Sequence, residues 1–95
     1  MNTTDDAEQQ RAALRARMAE HLDAALAPLA EIADPVERER AARILADDLL
    51  PDAVKRVKAV RGEVVRGMRQ TKTLREVGEQ LDLSIARVDQ IAKGK

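Results

Sequence analysis

Residues 73–91 read TLREVGEQLDLSIARVDQI, and this stretch decides the fold. Thr73 and Glu76 have the spacing of a capping box, in which each side chain satisfies a backbone N–H group of the other residue at the start of a helix. Ser84 is a strong N-cap for a second helix, which we expect to cover about 84–93. Two short helices separated by a three-residue break predict a helix-turn-helix, the motif that places its second helix in the DNA major groove.

The same stretch resembles the helix-turn-helix of region 4 of the sigma-70 family of RNA polymerase sigma factors. The resemblance covers about one fifth of the chain. The matching residues are Thr73, Leu74, Glu76, Val77, Gly78, Gln80, Asp82, Arg87, Gln90 and Ile91, with Leu83, Ser84 and Val88 as conservative replacements. The resemblance implies a DNA-binding motif in a small stand-alone regulator of the actinobacterial type.

Three positions depart from the family pattern where that family reads promoter bases. Ile85 and Ala86 occupy positions that are usually charged in the family, and Asp89 occupies one that is usually basic. The resemblance therefore implies the scaffold of region 4 and not its promoter specificity. Gln90 and Arg87 keep the DNA-facing chemistry of the family.

Helical periodicity runs through the sequence, which has no alternating β-branched run and no hairpin dipeptide, so we expect an all-α fold. Residues 1–6 are expected to form a disordered tail. A first helix is expected from about Asp6 to Ala33, and Pro28 predicts a kink or a break in it. Its apolar seam follows spacings of 4 and 3, as in a short coiled coil. The seam residues are Met18, Leu22, Ala25, Leu29 and Ile32, widened by Leu14 and Leu26.

Two prolines mark the next boundaries. Asp34 and Pro35 supply an N-cap and a first-turn proline, so a second helix should begin at Pro35. Pro51 predicts a third helix to about Gln70, or else one long helix kinked at Pro51. The expected inward residues of these helices are Val36, Ala41, Ile44, Leu45, Leu49, Val54, Val57, Val60 or Arg61, Val64, Val65 and Met68. Gly62 and Gly67 either permit the close approach of a neighbouring helix or lie on the surface.

The net charge of zero hides an asymmetry between the two halves. Residues 1–53 carry 12 acidic and 6 basic side chains, whereas residues 54–95 carry 5 and 11. A basic half that contains the motif is typical of phosphate binding. We therefore expect two functional regions: acidic N-terminal helices over 7–50 for dimerisation or protein contact, and a DNA-binding region over 51–95.

The motif predicts which side chains meet DNA. Beneath both helices we expect a small core of Val77, Leu81, Leu83, Val88 and Ile91. The expected base-reading residues are on the outer face of the second helix: Gln90, Arg87, Ile85 and Ala86. The expected phosphate contacts are Arg69, Lys72, Arg75, Ser84 and Lys93. Asp89 either accepts from a cytosine amine or pairs with Lys93 four residues later.

One recognition helix reads few bases, so most such regulators dimerise and reach half-sites ~34 Å apart. We expect a homodimer on double-stranded DNA through the seam of the first helix. The expected dimer residues are Leu14, Met18, Leu22, Leu29 and Ile32. Two alternatives stay open: the first helix folds back onto its own chain, or the chain binds protein, such as RNA polymerase, a sigma-related partner or a toxin.

Several function classes have no support in the sequence. The chain has no cysteine and one histidine, His21, with no second histidine for a metal site, so we expect no enzyme, metal or cofactor. It has no Phe, Tyr or Trp, which favours a thin aliphatic core. No apolar run approaches the length of a membrane span, and because no signal-peptide pattern opens the chain we expect no signal peptide. We expect a cytoplasmic, nucleoid-associated protein without membrane contact.

Overall fold

The computed structural model describes residues 3–95. Its five α-helices and one π-helical turn are, in chain order, α1 (Thr3–Glu31), α2 (Pro35–Ile44), the π-turn (Leu45–Leu49), α3 (Leu50–Arg69), α4 (Leu74–Leu81) and α5 (Ile85–Ala92). The described residues contain no strand, so the all-α prediction is confirmed. No helix in this range is long and apolar enough to cross a membrane.

The chain divides into two compact units, one ending at Ile44 and the other comprising Leu45–Lys95. The first unit contains α1 and α2, which contact each other. The second contains the π-turn and α3 to α5. The division falls six residues before the boundary expected at Pro51, because the π-turn packs against α3 and belongs to the second unit.

Helix α1 differs from the prediction at its start and at Pro28. It begins at Thr3, so residues 3–6 are helical and not part of a tail, while Met1 and Asn2 lie outside the described residues. Acidic Asp5 and Asp6 in its first turn interact favourably with the positive end of the helix dipole. The helix also continues through Pro28 to Glu31 without a break, so the loss of one backbone hydrogen bond at the proline does not end it.

Helix α2 begins at Pro35, as predicted. The backbone N–H of Glu37 donates to the Asp34 carboxylate at 3.2 Å, which is the expected cap. The prediction of an inward face was wrong for most of its residues. Val36, Ile44 and Leu49 are exposed, and only Ala41 and Leu45 are half-buried. A helix of ten residues beside a single neighbour has little surface to pack against.

The π-turn explains how the chain passes Pro51. Pro51 has no N–H group for the carbonyl of Asp47, and its ring would clash with that carbonyl in a regular α-helix. The wider π-turn over Leu45–Leu49 directly precedes the proline and relieves this clash. Every residue over 35–69 is helical, so no loop separates α2 from α3.

The core of the second unit is small and lies where α3, α4 and α5 meet. Its buried side chains are Val65, Val77, Val88 and Ile91, with Met68, Leu74, Leu83 and Ala92 packed around them. Leu81, predicted to be in the core, is 38% exposed because it ends α4 at the edge of the cluster. Val54, Val57, Val60 and Val64, predicted to face inward, are exposed. Helix α3 is longer than the two short helices that cover it.

The two glycines of α3 have different roles. A Cβ atom on Gly62 would lie 3.0 Å from the carbonyl oxygen of Ile91, so this glycine lets the end of α5 approach α3 closely. A Cβ atom on Gly67 would meet nothing within 4 Å. Gly62 therefore permits the close approach of a neighbouring helix, whereas Gly67 lies on the surface.

Candidate nucleic-acid interface

Helix α4 begins with the predicted capping box. The Glu76 backbone N–H donates to the Thr73 hydroxyl at 3.1 Å, and the Thr73 backbone N–H donates to the Glu76 carboxylate at 3.2 Å. Both donors would otherwise lack a partner at the helix start. The two bonds fix the residue at which α4 begins. We call α4, α5 and the connecting residues 82–84 the helix pair.

The capping box makes stability depend on pH. The Thr73 backbone N–H, then the Thr73 hydroxyl and the Lys72 charge, lower the pKa of Glu76 below its ordinary value. The folded state therefore favours the carboxylate, and this stabilisation is present above the unfolded-state pKa and is lost as pH falls through the folded pKa. We expect Glu76→Gln to be less stable than the wild type at neutral pH and to lose that deficit in acid. Chemical unfolding across a pH series measures this, and parallel curves for the two proteins would contradict it.

The turn between α4 and α5 depends on a tight backbone approach. Asp82 ends α4 in the left-handed conformation with φ of 55°, which aspartate adopts more readily than most residues. The next residue, Leu83, donates its backbone N–H to the carbonyl of Gly78 at 2.9 Å. A Cβ atom on Gly78 would lie 2.7 Å from the Leu83 carbonyl oxygen, so only glycine fits here without displacement of the backbone.

Ser84 caps α5 as predicted, since its hydroxyl accepts from the Arg87 backbone N–H at 3.1 Å. Val88 and Ile91 lie one turn apart and are buried against α3 and α4. Their burial fixes the rotation of α5 about its axis. Ile85, Ala86 and Gln90 consequently lie on the exposed side of the helix.

The expected base-reading residues share that outer surface, with one difference. Arg87 is half-buried, and its guanidinium donates to the side-chain oxygen of Gln90 at 3.3 Å. The two polar side chains expected to read bases are thus one hydrogen-bonded pair. Ile85 is 47% exposed and adds an apolar group to the surface of α5.

Asp89 pairs with Lys93 at 2.7 Å between the Lys93 ammonium nitrogen and a carboxylate oxygen. This is the second of the two roles expected for Asp89. The pairing neutralises a negative charge on the outer surface of α5. It also occupies the ammonium group of Lys93, which the sequence analysis predicted to contact a phosphate.

The other residues assigned to phosphate contact differ in what they do within the fold. Arg69 donates to the Lys72 carbonyl oxygen at 2.8 Å, and this bond links the end of α3 to the loop that follows it. Lys72 is half-buried, and Arg75 is exposed on the first turn of α4. The hydroxyl of Ser84 accepts a capping bond, which leaves its proton able to donate to an anion. Arg75 and Lys72 lie at the start of the helix pair.

Basic residues of α3 lie beside the carboxyl end of α5. Arg66 donates to the Ala92 carbonyl oxygen at 2.9 Å. Lys58 and Arg61 line a small pocket with Arg87 and Lys95. Cations are stabilised at the negative end of a helix dipole, which accounts for this grouping. Lys58, Arg61 and Arg66 belong to the basic half noted in the sequence, and the packing of α5 on α3 places them beside the end of α5.

The residues assigned to a dimer interface lie in the first unit. Leu14, Met18 and Leu22 are exposed, and Leu29 and Ile32 are half-buried. A seam of exposed apolar side chains on one helix is unusual for a surface that meets only water. No protein-family model, curated protein or solved structure matches this chain.

Proposed function

We propose that this protein is a DNA-binding transcriptional regulator in which α4 and α5 form a helix-turn-helix of the sigma-70 region 4 type. In this proposal α5 is the recognition helix and enters the major groove. The observation that carries it is the construction of the helix pair. Two capped helices, a left-handed residue and a close glycine contact hold one exposed helical face in a defined orientation.

The exposed face of α5 has the chemistry to read base edges. Gln90 can bond to the N6 and N7 atoms of adenine, and Arg87 can bond to guanine or to a phosphate. Ile85 and Ala86 suit contacts with thymine methyl groups. Release of the bond between Arg87 and Gln90 would free both side chains for DNA at small cost, because the bond is exposed to water.

Phosphate contacts would position this face on the duplex. The second unit carries more basic than acidic side chains, and Arg75 and Lys72 lie at the entry to the helix pair. Such contacts set the register and carry no sequence information. The protein would act in the cytoplasm, on nucleoid DNA, as a homodimer that brings two recognition helices to neighbouring half-sites.

Arg75→Gln tests the phosphate contact by replacing the charged side chain of exposed Arg75 with a shorter, neutral polar one. We expect weaker binding to all duplexes alike, and a slope of log affinity against log salt that is shallower by about 0.9. Binding titrations at several salt concentrations measure this. Arg38→Gln, the same change on exposed Arg38 of the first unit, is the control and should leave the slope unchanged. Equal slopes for Arg75→Gln and the wild type would remove Arg75 from the interface.

A second function has two observations in its favour. Ile85 places an exposed apolar side chain at the start of α5, and the pairing of Asp89 with Lys93 lowers the positive charge of this face. A face of that kind also fits an apolar groove of a protein such as RNA polymerase or a related partner. In that case α5 would bind protein, and duplex DNA would not compete with the partner.

A further inference from the structure

Three cationic side chains converge where the carboxyl end of α5 packs against α3. Six residues line a small pocket there: Lys58, Arg61, Arg87, Ile91, Gly94 and Lys95. Lys58 and Arg61 are exposed on α3, and Arg87 is half-buried on α5. We call these three residues the α3–α5 basic cluster. A ligand at the mouth of this pocket would meet positive charge from two helices.

The acids of α3 do not neutralise the cluster. No acidic side chain lines the pocket, and none of the ion pairs within residues 3–95 includes a member of the cluster. Glu63 is two residues after Arg61 and five after Lys58, so it lies about 160° and about 140° around the helix from them. Asp52 is six residues before Lys58, about 120° around the helix and about 9 Å along it.

The acid of α5 points elsewhere as well. Asp89 is two residues after Arg87, about 160° around α5 from it. Its carboxylate pairs with the Lys93 ammonium group at 2.7 Å. The positive charge of the cluster is therefore not compensated by side chains of α3 or α5.

The end of α5 uses only part of this positive charge. The backbone N–H groups of residues 93–95 donate to the carbonyl groups of residues 89–91, and Arg66 donates to that of Ala92. The last four carbonyl groups of the helix thus have partners outside the cluster. The helix dipole supplies roughly half a negative charge at this end, against three positive charges in the cluster.

Arg87 connects the cluster to the surface proposed to read bases. Its guanidinium donates to the Gln90 side chain at 3.3 Å, while Arg87 lines the pocket with Lys58 and Arg61. A helix that reads base edges in the major groove has phosphates of the backbone beside it. Some helix-turn-helix proteins contact the backbone with the carboxyl end of the recognition helix. The position of the cluster suits that contact.

We propose that the α3–α5 basic cluster binds a phosphate group, and that in the complex this phosphate belongs to the DNA backbone beside the base contacted by Gln90. Lysine and arginine form strong, charge-assisted hydrogen bonds with phosphate oxygens. The inference rests on the proposed function for the source of the phosphate and not for the site. It adds α3, which the expected phosphate contacts at Lys72 and Arg75 do not include, to the DNA interface.

The first test measures DNA binding by Lys58→Gln and Arg61→Gln at several salt concentrations. Each slope of log affinity against log salt should be shallower by about 0.9, with base preference unchanged, because phosphate contacts carry no sequence information. Both residues are exposed and outside the buried core, so the helices should persist, as circular dichroism would verify.

Arg56→Gln is the matched control for Arg61→Gln. Arg56 is exposed on the same helix, about 140° around it from Arg61, and should keep the wild-type slope. Wild-type slopes in Lys58→Gln and Arg61→Gln would overturn the DNA contact and leave an acidic protein surface as the partner of the cluster. An equal change in Arg56→Gln would also overturn it, because the effect would then come from the charge of α3 as a whole.

Titration with inorganic phosphate, without DNA, tests the site apart from the proposed function. The NMR signals of residues 58, 61 and 87 should shift more in phosphate than in chloride at equal ionic strength. Arg61→Gln should lose this difference and Arg56→Gln should keep it. If the wild type binds no duplex and the difference is present, the proposed function fails and the phosphate site stands.

The two measurements together separate the sources of the phosphate. Shallower salt slopes without a phosphate-specific shift would support a site that takes only backbone phosphate. A phosphate-specific shift with wild-type slopes would assign the site to free phosphate and overturn the DNA contact. Equal shifts in phosphate and chloride, with wild-type slopes or no duplex binding, would overturn the whole proposal.

Discussion

Replacement of Gly78 by alanine is expected to destabilise the second unit by about 1–3 kcal/mol, the usual cost of forcing an extra group into a packed site. The added Cβ atom would lie 2.7 Å from the Leu83 carbonyl oxygen, and a backbone atom cannot move aside as a flexible side chain can. Displacing Leu83 would also strain its bond to the Gly78 carbonyl. With four buried core side chains, this unit has little stability to lose.

Gly67→Ala is the matched control for Gly78→Ala. Both glycines are helical, so both substitutions gain the same helix propensity, up to ~1 kcal/mol. A Cβ atom on Gly67 meets nothing within 4 Å, and we therefore expect a small stabilisation there. The measurement is the free energy of unfolding of both variants by denaturant titration. If Gly78→Ala were as stable as Gly67→Ala, the close contact in the turn would not be what fixes the helix pair.

The second large effect is expected for Gln90→Ala in DNA binding. In the proposed function, loss of the Gln90 amide removes a pair of bonds to one base, so preference at one position of the site should fall by ~1–3 kcal/mol. Affinity for unrelated sequences should change little, because those are held through phosphates. Competition binding with duplexes that vary one base pair at a time measures this preference.

Gln80→Ala is the control for Gln90→Ala, since Gln80 is an exposed glutamine on α4 outside the recognition helix. It should leave base preference unchanged. A uniform loss of affinity for all duplexes in Gln90→Ala would instead assign this side chain to the DNA backbone. Arg87→Ala should be measured beside it, because its guanidinium bonds to Gln90 in the free protein and its loss changes both side chains.

The helix pair was predictable because its determinants are local. The capping box of Thr73 and Glu76 and the cap at Ser84 each join residues three positions apart. The three hydrogen bonds that they predict are all present in the structure. The pairing of Asp89 with Lys93 spans one helical turn and is one of the two roles predicted for Asp89. Most of the small core followed from the same local periodicity, because Val77, Val88 and Ile91 each face the neighbouring helix.

The parts that sequence reasoning got wrong depend on how far one helix covers another. Periodicity identifies the apolar side of α3, and the valines there were expected to be buried. Only Val65 among them is buried, because α4 and α5 are short and meet α3 near its carboxyl end. The relief of Pro51 by a π-turn and the bond of Arg66 to the end of α5 likewise arise from backbone geometry and packing, which spacing does not encode.

The most direct test of DNA reading is binding of the purified protein to a pool of random duplexes at two salt concentrations, followed by sequencing of the bound fraction. We expect an enriched sequence at both concentrations and weaker total binding at the higher one, since phosphate contacts release counterions. A two-fold-symmetric enriched site would further support two recognition helices per complex. Absence of binding at the lower salt concentration would contradict a DNA-binding role for α5 and leave protein recognition as the function of the helix pair.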